Sequence, residues 1–140
     1  MSLSSFLILS EEEKELLTKS IGLLTGKLDL LVERFYFYFL RSNQEITKLF
    51  SNTNMLKQQN MFNVAIGAII TNIDNPTLIQ NSLDQYIQKH RLYGVEIKHI
   101  SFFIDSLTKA FTEVFSKDDP IMKAWLKLFY DVMEYFKSKL

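Results

Sequence analysis

Cysteine is missing from this 140-residue chain. That excludes a disulfide scaffold, a thiolate zinc or iron–sulfur site and a cysteine nucleophile. Histidine is scarce: His90 and His99 are the two in the sequence, too few for an ordinary catalytic zinc site. A dominant charge sign is also lacking, because 16 basic and 16 acidic residues cancel. Without a one-sign field, neither nucleic acid nor an acidic surface is an expected partner. No apolar run approaches the roughly 18 residues of a membrane span. Ser5-Phe6-Leu7-Ile8-Leu9 is too short for a signal-peptide core and has no basic segment before it. The expectation is a cytoplasmic protein with no membrane partner.

Breakers are scarce too. Four glycines and two prolines predict a chain that is nearly all helix. The length fits one domain over residues 1–140, with residues 1–9 as a lead-in. What the chain does have is apolar bulk. It is 47% hydrophobic and 14% aromatic, with twelve Phe and six Tyr. Such a core suits either the lining of a large flat guest or plain ring packing.

Ser10 before Glu11-Glu12-Glu13 is a helix start with a capping box. The first helix is expected to reach about Leu24, with Leu16, Leu17, Ile21 and Leu24 near one face, and Gly26 as its break. The second covers Lys27–Ser42, where Arg34-Phe-Tyr-Phe-Tyr-Phe-Leu40 is apolar around most of its circumference and calls for burial on several sides. A short turn, Gln44–Phe50, leads to a polar corner at Ser51–Asn54. The fourth helix, Met55–Ile73, carries Gln58, Phe62, Ala65, Ile66 and Ile69 on one face, Gln58 being the polar member. Asn75 should cap the fifth helix, with Pro76 at its first position. Ile79, Leu83, Ile87 and His90 then share a face, and Gly94 ends the helix as a left-handed cap. The sixth helix is expected over Ile97–Ser116. After a break at Lys117-Asp118-Asp119-Pro120, the seventh runs over Ile121–Lys139 and buries Trp125, Leu128, Phe129, Val132 and Phe136.

A lone histidine on an apolar helix face is either packing or an axial ligand for a buried metal cofactor. His90 has company that bears on the choice. About seven helices can enclose an aromatic-lined pocket with His90 on one wall and a tyrosine and a glutamine on another.

In order and spacing, Phe35-Tyr36, Leu49-Phe50, Gln58, Ile73-Asp74-Asn75, Lys89-His90, Tyr93-Gly94-Val95 and Ala124-Trp125 resemble the globins. The likeness is to the single-domain globins of bacteria and the globin half of flavohaemoglobins, over about residues 10–138. The resemblance implies an all-α globin fold around haem b. It makes His90 the proximal iron ligand, Phe50 a ring stacked on the haem, Tyr36 the distal tyrosine and Gln58 the distal glutamine. Gln58 is preferred over its neighbour Gln59 by counting from Phe50 and Asp74. Phe62 would crowd the distal pocket and Val95 would touch the haem face. His99 would sit near the haem edge, as a propionate contact or simply in solvent, and not as a ligand. The hydroxyl of Tyr36 and the amide of Gln58 are both donors, able to hold a partly negative gas atom at about 1–3 kcal/mol each.

Three departures from the family carry weight. Gln44 stands where many relatives have proline, and Ile100 where many have tyrosine. The position of a glutamate that completes the proximal hydrogen-bond network falls at or past Leu140. Without that network, less electron density is pushed toward iron, and peroxidase-like chemistry is not expected. The leading expectation is reversible binding of dioxygen, carbon monoxide and nitric oxide by a protein that is not itself an enzyme. The alternatives are a nitric oxide dioxygenase or nitrite reductase fed by an external reductase, and a haem-free interaction or sensor module.

Overall fold

The computed structural model describes residues 2–23, 26–116 and 118–140, the side chain of Leu23 aside. Among them are seven α-helices and no strand: α1 Glu11–Leu23, α2 Lys27–Ser42, α3 Gln44–Leu49, α4 Met55–Thr71, α5 Pro76–Leu92, α6 His99–Val114 and α7 Pro120–Lys139. A 3₁₀ turn, Leu3–Ser5, precedes them within the lead-in. Leu24, expected at the end of the first helix, lies outside the described residues, as does Lys117. No helix among the described residues is long and apolar enough to cross a membrane.

The start of α1 is the capping box that Ser10 and Glu13 predict. Glu13 N–H donates to Ser10 Oγ at 3.0 Å, and Ser10 N–H donates to Glu13 Oε1 at 2.9 Å, so two orphan donors are satisfied at once. Asn54 caps α4 through Lys57 N–H, and Asn43, not anticipated, caps α3 through Glu45 N–H. Asn75 does not cap α5 with its side chain. Its backbone carbonyl instead accepts from Leu78 and Ile79, with Pro76 placed at the helix start as expected.

Several ends differ by one or two residues. α4 stops at Thr71 rather than Ile73, and α3 at Leu49 with Phe50 as its cap. α6 begins at His99, after a turn at residues 97 and 98, and ends at Val114 because Phe115 is extended. Pairwise periodicity sets which residues face the core but says little about where the last turn frays.

α2 packs most extensively against α6, and also meets α3 and α4. α7 lies against α1 and α6. One contiguous core joins Leu17 of α1, Val32 and Phe35 of α2, Leu107 and Phe111 of α6, and Trp125 and Leu128 of α7. Trp125 is wholly buried. Its Nε1–H donates to Ser20 Oγ at 2.9 Å, which in turn donates to the Leu17 carbonyl, so a polar atom in the core is satisfied. The many-sided burial expected of α2 holds for Phe35, Tyr36 and Phe39, but Phe37 is exposed. The guanidinium groups of Arg34 and Arg41 lie over its ring at 4.2 and 3.9 Å. This cation–π cover replaces burial in protein.

α5 is attached differently from the rest. It leans on the lead-in turn and on α7, and a cavity separates its inner face from α4.

Candidate functional site

The cavity holds about 420 Å³, within the range of about 300–1,000 Å³ usual for small-molecule and cofactor sites. α2 gives it Tyr36, α4 gives Gln58, Phe62, Ala65 and Ile69, and α5 gives Leu83, Tyr86 and His90. α6 supplies Phe103, and α7 supplies Phe129, Val132, Met133 and Phe136. Lys57, Asn60, Met61 and Val64 also line it. These four sit at i, i+3, i+4 and i+7 of α4, are exposed, and form an edge of the mouth. Met61 and Val64 leave 54% and 71% of their surface open, an apolar rim that an apolar guest would cover.

His90 sits in the last turn of α5. A Schellman motif fixes that turn. Val95 N–H donates to the His90 carbonyl at 2.9 Å and Gly94 N–H to the Arg91 carbonyl at 3.1 Å, with Gly94 at φ +90°. Glycine reaches this left-handed conformation without the Cβ clash that other residues meet. The His90 ring is fixed as well. Its Nδ1 lies 2.6 Å from the Tyr86 carbonyl oxygen. A carbonyl can only accept, so Nδ1 carries a proton, and in the neutral ring Nε2 keeps its lone pair. Phe136 meets the same ring edge-to-face, with centroids 5.5 Å apart.

Tyr36 is 5% exposed. Gln58 Nε2–H donates to its hydroxyl oxygen at 3.0 Å. That occupies an acceptor site on the phenol and leaves its own O–H free to donate, since no described side chain or carbonyl takes it. Burial pushes the Tyr36 phenol up to about 12, against a smaller opposing effect of the Gln58 bond. It therefore stays a neutral donor across physiological pH. Phe62 stands beside it at 5.9 Å between ring centroids, and also meets Phe35 and Phe103.

His90, Tyr36, Gln58 and Phe62 thus meet in one cavity. Phe50 and Val95 stand outside its lining. Phe50 is half-buried at the end of α3, edge-on to Tyr36 and Phe39. Val95 is half-buried, its backbone closing the cap on His90. His99 is not in solvent: it is 5% exposed at the start of α6. Its Nδ1 accepts from Glu96 N–H at 2.9 Å, and its Nε2 lies 3.9 Å from a Glu45 carboxylate oxygen. It does not line the cavity.

Sequence reasoning assigned Phe129, Val132 and Phe136 to the core without seeing that they wall the site. Positions 129, 132, 133 and 136 share one face of α7, but spacing alone cannot separate a cavity wall from a packed core. Ile100, standing where the resemblance implies tyrosine, is buried and apolar.

Seven helices, five of which line an apolar cavity, with a histidine held through Nδ1 on one of them and a tyrosine–glutamine pair from two others, describe a helical protein of globin type. The chain belongs to the globin family, whose model matches residues 33–136. It is similar to a flavohemoprotein of Bacillus cereus, with 29% identity over 133 residues, covering 94% of this chain and 33% of that protein. It is also similar to a flavohemoprotein of Bordetella pertussis, with 25% identity, covering 84% of this chain and 30% of that protein. The chain spans about a third of the length of these relatives. In fold it is similar to a bacterial globin from Campylobacter jejuni, with a TM-score of 0.79 at 19% identity, covering 93% of this chain and 95% of that one. An engineered carbene transferase from Rhodothermus marinus gives a TM-score of 0.79 at 22% identity, covering 94% and 93%.

Proposed function

We propose that this chain binds haem b in the cavity, with His90 as the iron ligand, and reversibly takes up dioxygen and other diatomic gases. One observation carries the reading: a histidine with a free Nε2 lone pair lines the same apolar cavity as a protonated phenol with hydrogen to give. When bound, haem supplies an iron that takes diatomic gases. The chain does the rest. His90 holds its Nε2 ready through the Tyr86 carbonyl. Phe62, Phe103, Phe129 and Phe136 exclude water and offer ring surface. Lys57, the one lysine or arginine of the lining among the described residues, is the cation available to the acidic groups of haem at the mouth. Tyr36 donates to a gas atom that carries negative charge, and Gln58 polarises and orients that donor. Carbon monoxide carries less charge and gains less. Phe50 and Val95 contribute from outside the cavity wall, by backing Tyr36 and by holding the end of α5.

The absorption spectrum of the purified protein tests this. Expected is a Soret band that shifts with carbon monoxide and is lost or altered in His90→Ala. A colourless protein that takes up no added haem would overturn the reading and leave a haem-free module.

A second reading has support in the likeness to flavohemoproteins: nitric oxide dioxygenase or nitrite reductase activity fed by an external reductase. A steady-state assay with a generic flavin reductase separates the two, since turnover no faster than free haem leaves gas binding alone. On either reading the working compartment is the cytoplasm.

A further inference from the structure

α5 carries His90, yet few surfaces hold α5 in place. Its main packing partners among the described residues are the lead-in turn and α7, and on its inner side lies the cavity. Two hydrogen bonds bridge it to those partners. Leu3 N–H in the lead-in donates to Gln80 Oε1 at 2.8 Å, and the Tyr135 hydroxyl of α7 donates to Asp84 Oδ1.

Tyr135 is the node of this joint. It is wholly buried. Its ring meets Phe6 of the lead-in edge-to-face at 5.8 Å. One turn earlier on α7, the buried Asp131 accepts from Ile8 N–H at 3.0 Å and pairs with Lys127 at 2.7 Å. One face of α7 therefore clamps both the lead-in and α5. Burial, then the Asp84 carboxylate, push the Tyr135 phenol upward, so it remains the donor to a carboxylate, among the stronger kinds of hydrogen bond.

The next residue along, Phe136, packs on the His90 ring. On α5, Leu83 adjoins Asp84 and lines the same cavity. Any slide or tilt of α5 against α7 must therefore move His90 relative to Phe136. The Tyr86 carbonyl that orients His90 Nδ1 lies two residues after Asp84 and moves with it.

We propose that Tyr135, through its hydrogen bond to Asp84, is a positioning residue that sets the orientation of the His90 ring by locking α5 to α7. Neither residue lines the cavity, and the hydroxyl goes to Asp84 rather than to His90 itself. The lead-in acts as a strap over the same joint. The proposal rests on the haem-binding reading for its spectroscopic consequence, but its mechanical half stands on the chain alone.

The test uses the full chain in two forms. In the ferrous haem-loaded protein, Tyr135→Phe is expected to shift or split the iron–histidine stretching band in resonance Raman and to make carbon monoxide rebinding biphasic. Asp84→Leu should do the same. Asp84→Asn, which keeps an acceptor oxygen, should restore most of the native band. Ser20→Ala, which weakens the distant Trp125 contact, serves as the control for mere destabilisation. In the haem-free protein, Tyr135→Phe is expected to speed amide hydrogen exchange in residues 84–92 by about tenfold, the loss of one such bond, with α1 and α2 unchanged. An unchanged band in folded Tyr135→Phe, a band change equal to that in Ser20→Ala, or exchange that rises evenly along the chain would each overturn the proposal. If Tyr135→Phe does not fold, the contrast between Asp84→Leu and Asp84→Asn decides. A chain that takes up no haem would defeat the proposed function instead, and the exchange experiment would still decide whether the lock exists.

Discussion

Replacing Tyr36 with phenylalanine separates the donor roles proposed for Tyr36 and Gln58. The substitution removes one oxygen from a site that is 5% exposed and leaves the ring contacts with Phe35, Phe50 and Phe62 in place. Gln58 loses its acceptor at 3.0 Å. Its amide is half-buried and borders the cavity, so it can turn to water or to the gas itself. The cost to folding should be small, about 1 kcal/mol or less. The effect on the gas should be larger. A buried hydrogen bond to a charge-bearing atom contributes about 1–3 kcal/mol, or about 5- to 150-fold in rate. The freed Gln58 amide recovers part of that, which places the expected increase in dioxygen release near tenfold. Gln58→Leu should raise release less, because Tyr36 keeps its O–H. The double variant should exceed the product of the two, since each single variant leaves one donor behind. Flash photolysis and stopped-flow release rates for dioxygen and carbon monoxide measure all four proteins. Release of dioxygen unchanged in Tyr36→Phe, or carbon monoxide release raised equally, would refute the donor argument.

Alkali should destabilise the chain through the same residue. The folded pKa of Tyr36 is raised from 10.0 to about 12, so above pH 10 the unfolded chain loses a proton that the folded chain keeps. Stability contributed by the neutral phenol is therefore full below pH 10 and lost toward pH 12, by up to about 3 kcal/mol. Urea unfolding at pH 9 and 11 should show the drop, smaller in Tyr36→Phe. Ser20→Ala strands the buried Trp125 N–H and should cost about 1–3 kcal/mol in the same assay, whereas a loss under 0.5 kcal/mol would mean that water reaches the indole. Gly94→Ala meets open space but a φ of +90°, so strain of about 1–2 kcal/mol is expected. Faster haem loss should accompany it, because the cap it disturbs ends on the His90 carbonyl, and equal haem retention would show that the cap does not steady the histidine.

Local chemistry reached a long way in this chain. Ser10 and Glu13 form a capping box because both partners lie within one turn. Gly94 ends α5 because glycine tolerates a positive φ. The helix faces of α2 and α5 follow from spacing of three and four residues, and the order of Tyr36, Phe50, Gln58, His90 and Trp125 was enough to recognise the globin family. All of these are properties of residues near in sequence or of a pattern read along it.

Tertiary structure alone decided what depends on distance across the chain. It brought the Gln58 amide to the Tyr36 hydroxyl rather than leaving two independent donors. It turned an apolar face of α7 into a cavity wall, and it kept Phe50 and Val95 out of the lining. It buried His99, which a sequence leaves free to be solvent-exposed. It joined Tyr135 to Asp84, 51 residues apart, a pairing that no periodicity announces. Side chains on one helix share a face by geometry, but which face of another helix they meet is set by the packing of the whole core.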